Sequence, residues 1–152
     1  MNKFHKTLFT KMEVQKLMNS DTYYEAKLDQ GKEESLIDVE IAKKILKGDS
    51  VWVQRMRFVA ESVNCKSIFS AISEVLHAAL KENGGDYDKH SWKKVPNAYQ
   101  RYWEAYRRHE KKGLKNIDIN SGLYHYQHML TNLMFLTYFE MHPQENGGEN
   151  DM

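Results

Sequence analysis

A single cysteine, Cys65, stands among the 152 residues of the chain. One thiol can neither close an intramolecular disulfide nor build a cysteine zinc knuckle, so the composition points to a reducing, cytoplasmic setting. Proline is equally scarce, with only Pro96 and Pro143 to interrupt the backbone. Charge of one sign is missing too: 22 Lys and Arg face 21 Asp and Glu, a formal net charge of +1. Such a balance supplies no global attraction to nucleic acid or to a membrane surface, so any anion site must be local. The longest apolar stretch, around Leu133 to Phe139, is far short of the about 20 residues that span a bilayer. Near the start, Lys3, Lys6 and Lys11 break up the apolar residues before a signal peptide can form, which predicts no secretion. No Gly-x-x-x-x-Gly-Lys-Ser/Thr loop, no His-Glu-x-x-His helix and no His-Asp dipeptide occurs, which sets aside three familiar catalytic sites.

What remains is helical patterning. Apolar residues recur three and four apart with little alternation, so the chain reads as all-α, a compact helical domain. The spacing predicts helices near Lys11 to Asn19, Leu36 to Leu46, Val51 to Val63, Ser67 to Glu82 and Asn97 to Lys112, and a last one following Ser121-Gly122. Residues 1–50 read as an N-terminal helical extension without assignable chemistry, 51–142 as the main domain, and 143–152 as a polar, disordered tail. In the second helix of that domain Ile68, Ile72, Val75, Leu76, Ala79 and Leu80 form the core stripe, and Ser70, Glu74 and His77 lie on the other side. Asn83-Gly84-Gly85-Asp86 ends the helix, and a loop through His90 and Trp92 leads to Pro96. Trp92 either anchors that loop or stacks on a base. Asn97 suits the N-cap of the following helix. There Tyr99, Tyr102, Tyr106 and His109 share one face and Arg101, Arg108 and Lys112 its flank.

Chemistry concentrates between Asp118 and Asn132. At about 100° per residue, His125, His128 and Asn132 fall within roughly 60° of one another on one helical face, continued by Phe135 and Phe139. Leu123, Tyr126, Leu130, Leu133, Met134 and Thr137 cover the opposite side, so the helix is expected to be buried. Three buried polar side chains need partners, and either a hydrogen-bonded core network or a bound ion or ligand would supply them. Asp118, Asn120 and Ser121 either cap this helix or join the site. Arg101 and Arg108, seven residues apart, suit phosphate oxygens.

Taken in order, Ile72-Ser-Glu74-Val-Leu, His90-Ser-Trp92-Lys-Lys-Val-Pro96, Arg101-Tyr102, Arg108-His109 and Asp118-x-x-Ser121-Gly122-Leu-x-His125-x-x-His128-x-x-x-Asn132-x-x-Phe135-Leu resemble the dATP/dGTP diphosphohydrolase family. Those proteins are MazG-related, all-helical and common in bacteriophages. The resemblance spans about residues 68 to 140. It implies a MazG-like helical bundle that hydrolyses a purine deoxynucleoside triphosphate to the monophosphate and pyrophosphate, using Mg²⁺ or Mn²⁺, as a homo-oligomer in the cytoplasm, the host's if the gene is a phage's. On this reading Glu74, His109, His125, His128 and Asn132 are catalytic, Trp92, Arg101, Arg108 and Ser121 bind substrate, and Glu74 and Asp118 hold the metal. The chain departs from the pattern at Asn120, where the family commonly has a carboxylate, at Gly113-Leu114, where it often has Gly-Glu, and at Ala78, where it often has glycine. An opening of the Lys-Phe-Asp-x-Gly-Lys type is not recognisable at the expected distance, and the Asp-Gln-Gly-Lys of Asp29 to Lys32 is too short a signal to use. Fewer carboxylates around a hard cation keep a second reading open, a catalytically silent nucleotide-binding or protein-interaction module.

Overall fold

The computed structural model describes residue 37 and residues 39–48, 50–82 and 91–145. The expected helix near Lys11 to Asn19, the Asn83 to Asp86 break, His90 and the end of the polar tail lie outside them. Among the described residues five α-helices follow one another: α1 (Val39–Lys47), α2 (Val51–Ser62), α3 (Ile68–Glu82), α4 (Ala98–Lys112) and α5 (His125–Met141). One 3₁₀ turn, Ser91–Lys94, precedes α4. Among the described residues the extended pairing is a single antiparallel bridge, Ile117 to Tyr124, so the fold is all-α.

Helix α5 is the axle of the domain, packed against α4, α2 and α3 and touching α1. Every residue from Met129 to Phe139 is buried, which fits a segment apolar on both flanks. Its two buried threonines return their hydroxyls to the helix itself, Thr131 Oγ1 to Gln127 O and Thr137 Oγ1 to Leu133 O, each at 2.8 Å. Around it close Ile68, Ile72 and Leu76 of α3 and Tyr106 of α4. On α2 the inward face is Val53, Met56, Val59 and Ala60, whereas Trp52 and Val63 are only partly buried against the core. Ile37, Ile41, Ala42, Ile45 and Leu46 join the same core from the α1 region.

Polar ties fix how these helices meet. Buried Arg57 of α2 donates from Nη2 to the carbonyls of Ile45 and Leu46, both at 3.0 Å, satisfying the end of α1 where a cation also complements the helix dipole. The backbone turns there at Gly48, φ +68°, and a Cβ at that position would stand 2.7 Å from Arg57 Nη1. Ser50 caps α2 by accepting from Trp52 N–H at 3.1 Å and donates to Glu140 Oε1 at 2.6 Å near the end of α5. Asn97 occupies the N-cap position of α4 in the left-handed region, but its side chain makes no capping bond. Among the described residues no helix is long and apolar enough to cross a membrane.

Candidate active site

The segment between α4 and α5 folds so that one carboxylate oxygen is spent on the loop and the other is left for the site. Asp118 Oδ1 accepts the backbone N–H groups of Asn120 at 2.8 Å and Ser121 at 3.1 Å, a local turn of the kind Asp side chains favour. Gly122, φ +76°, carries the chain back, and Asp118 pairs across the turn through its own N–H to Leu123 O at 2.7 Å. The expectation that Asp118, Asn120 or Ser121 caps α5 does not hold, because the helix begins later, at His125, and the loop satisfies its first N–H groups. His125 N–H donates to Asn116 O at 2.9 Å and Tyr126 N–H to Leu114 O at 3.0 Å.

That construction delivers His125 and His128 from the first turn of α5 to His109 at the end of α4. His109 Nδ1 and His125 Nδ1 are 2.7 Å apart, and Asp118 Oδ2 lies 3.8 Å from the first and 3.9 Å from the second. At 2.7 Å only one of the two nitrogens carries a proton, so the pair is one donor and one acceptor. The carboxylate distances exceed a hydrogen bond. Once a cation displaces that shared proton, three ligand atoms converge, all within 4.8 Å of one another. Ligands about 2.0–2.2 Å from an ion stand about 3–3.5 Å from each other, so shifts of roughly half an ångström would turn this triangle into a coordination set. Two imidazoles and a carboxylate are a donor set fitting a divalent transition ion.

Electrostatics agrees with that use. Burial, then the nearby His128 and His125, depress the His109 pKa to about 4, against a smaller opposing pull from Asp118, so the ring is neutral and able to ligate at pH 7. Burial pushes Asp118 up, but the N–H groups of Ser121 and Asn120, with His128 and His109, outweigh it and hold the carboxyl below its ordinary value.

His128 stacks on His109, with ring centroids 4.6 Å apart and planes 7° from parallel, and its Nε2 sits 2.7 Å from Ser121 Oγ. Ser121 Oγ also accepts Leu123 N–H at 3.2 Å, so the hydroxyl is fixed from two sides. His109 and His128 open onto a cavity of about 390 Å³ between α3, α4 and α5. Its apolar wall includes Val75, Leu76, Val95 and Phe135, and its polar residues include Arg101, Arg108 and Asn132. Both arginines are exposed, and neither has a carboxylate in ion-pair range among the described residues. Asn132, 7% exposed, donates Nδ2 to His128 O at 2.8 Å.

Most of the residues singled out in the sequence thus meet in one place. His109, His125 and Asp118 form the donor triad, Ser121 holds His128, and Trp92, Arg101, Arg108, His128 and Asn132 line the cavity. For Trp92 the anchoring alternative holds, and Glu74 stands apart from the triad. Trp92 is 4% exposed, stacked on Phe135 at 4.6 Å and edge-on to Tyr138 and Phe139, with the Lys93 ammonium 5.4 Å from its ring, so it is an anchor that also walls the cavity. Glu74 is outside the triad, and its Oε1 accepts from Gln127 Nε2 at 2.7 Å. Gln127 itself was not foreseen, although Gln at the third position of a helix is a recognised capping signature. Asn120 is exposed and turned to solvent.

An all-helical domain thus carries a histidine and carboxylate cluster that could hold a metal ion, opening through one shared histidine onto an arginine-rimmed cavity. Residues 54–149 match the family described as dATP/dGTP diphosphohydrolase, N-terminal, and the chain belongs to that family. Neither a curated protein nor a solved structure matches it.

Proposed function

We propose that the protein hydrolyses a purine deoxynucleoside triphosphate, dATP or dGTP, to the monophosphate and pyrophosphate. The observation that carries this reading is the double membership of His109, which belongs both to the donor triad and to the lining of the cavity. A nucleotide seated in that cavity has its phosphates beside the triad. Arg101 and Arg108 at the open rim match the charge of a triphosphate, and guanidinium groups suit phosphate oxygens by their forked geometry. The wall of Val75, Leu76 and Phe135 suits a base rather than a charged group.

His109, His125 and Asp118 would hold the divalent ion, which supplies charge neutralisation at the phosphates and a more acidic bound water. The nitrogen-rich set favours Mn²⁺ or another transition ion over Mg²⁺, which prefers oxygen ligands. In the net reaction one water oxygen bonds to the α-phosphorus, the bond from that phosphorus to the bridging oxygen breaks, and pyrophosphate leaves. His128, fixed by Ser121 and by stacking on His109, is the side chain placed to orient a phosphate oxygen or the water. The exposed Asn120 takes no charge out of the triad where the family commonly has a carboxylate, so this departure leaves the donor set intact.

The test is incubation of the full chain with each dNTP and rNTP in Mn²⁺ or Mg²⁺ and chromatography of the products. Monophosphate and pyrophosphate from dATP or dGTP are expected. Intact nucleotides with both metals, together with nucleotide binding by calorimetry, would assign the silent binding module instead.

A further inference from the structure

We infer that Gln127, held in place by Glu74, is a positioning residue that sets α5 for the histidine triad, with Glu74 acting as a hydrogen-bond acceptor and not as a metal ligand. Gln127 is 4% exposed and lies on the side of α5 that faces α3. Its amide is nearly saturated. Oε1 accepts Tyr124 N–H at 3.1 Å, and Nε2 gives its two hydrogens to Ala71 O at 3.2 Å and Glu74 Oε1 at 2.7 Å. A backbone donor on one end and a backbone carbonyl on the other leave no freedom to exchange oxygen and nitrogen, so the amide has one orientation. One side chain thereby ties the N-cap residue of α5 to the middle of α3.

The placement of that tie gives it its effect. His125 precedes Gln127 by two residues and His128 follows it by one, so the first turn that carries both histidines is the turn the amide fixes. The cavity has α3 as one wall, through Val75 and Leu76, and His128 and Asn132 of α5 as another. A bond between Glu74 and Gln127 therefore sets the spacing of two walls as well as the register of the triad. Glu74 is an exposed residue, and a carboxylate there gives Nε2–H a charge-assisted acceptor, stronger than a neutral one. Its other oxygen joins no group of candidate metal ligands among the described residues.

This inference rests on the metal reading above, and its test separates the two. Co²⁺ alone is titrated into the full chain, wild type, E74Q and E74A, following the visible absorption of the bound ion. Long-range proton–nitrogen spectra of the histidine rings are recorded without metal. A Gln at position 74 still offers an oxygen to Gln127, so E74Q should bind Co²⁺ within about twofold of wild type. E74A removes the acceptor from an exposed helical position, where alanine is well tolerated. Its circular dichroism should be unchanged and its Co²⁺ affinity weaker by about tenfold, the lower end of what groups that orient ligands contribute. Equal losses in E74Q and E74A would make Glu74 a ligand and overturn the inference, as would wild-type affinity in E74A. Should the wild type bind no Co²⁺, the metal reading fails while the ring spectra still decide the positioning. A His109 and His125 pattern altered in E74A and restored in E74Q supports it, and an unaltered pattern refutes it.

Discussion

Replacing Asp118 with Asn separates the two jobs its carboxylate performs. Oδ1 holds the Asn120 and Ser121 N–H groups at 2.8 and 3.1 Å, and Oδ2 faces the two histidine nitrogens at 3.8 and 3.9 Å. Asparagine keeps an oxygen for the loop but presents an NH₂ to the histidines, which cannot ligate a cation. Loss of one of three protein ligands is expected to weaken Mn²⁺ binding by at least about 100-fold, or about 2.8 kcal/mol. The fold should be nearly untouched, since the loop bonds persist in neutral form. D118A, by contrast, removes both loop bonds as well. With the side chain only 14% exposed, losing two bonds to a charged acceptor should cost about 1–3 kcal/mol, seen as a melting temperature lower by about 3–9 °C. Calorimetric Mn²⁺ titration and thermal melts of both variants without metal give the comparison. D118N binding Mn²⁺ like wild type would refute the triad, and D118A melting like wild type would refute the loop role of Oδ1.

Further outcomes follow from the same geometry. The His109 pKa, about 4 when folded, lies below its ordinary 6.5, so the unfolded chain binds the extra proton first; stability is full above about pH 6.5 and falls as pH drops toward 4. Metal-free melts across that range should show the decline, and H109Q should flatten it. Trp92→Ala removes an aromatic side chain packed on Phe135, Tyr138 and Phe139 and should cost about 3–5 kcal/mol in urea unfolding, whereas a variant no less stable than wild type would show that the ring is not an anchor. Arg101→Ala and Arg108→Ala should each weaken nucleotide binding about tenfold in calorimetry while leaving Mn²⁺ affinity intact, since both line the cavity rim outside the triad. Gly48→Ala should lower stability by about 1–3 kcal/mol, because the new methyl meets Arg57 and the backbone sits at positive φ.

Residue spacing alone carries the helices that bury one face. Ile68, Ile72, Val75 and Leu76 repeat at helical intervals, and α3 buries them; the same holds for the core of α5. It also carries the grouping of His125, His128 and Asn132, because neighbours three and four apart on a helix share a face whatever surrounds it. Spacing failed where a long-range partner overrides local pattern. Buried Arg57 reads as a surface cation until the carbonyls of Ile45 and Leu46 supply its acceptors, and it is buried along with Val53 and Ala60 of the same helix. Asn97 has the composition of a cap but a left-handed backbone, so its side chain is carried away from the helix N–H groups.

The sequence by itself determined that the chain is helical, which residues form the apolar stripes, and that polar residues with metal-binding and phosphate-binding chemistry cluster in its last third. Those properties are local, set by helical period and side-chain chemistry. The tertiary structure decided that His109, His125 and Asp118 come together while Glu74 lies outside that group, because residues from α4, the loop and α5 meet only when the helices pack. It likewise decided that Trp92 is spent on Phe135 and that Glu74 is bonded to Gln127. Contacts between distant segments depend on how whole helices cross, and no spacing within one helix encodes that crossing.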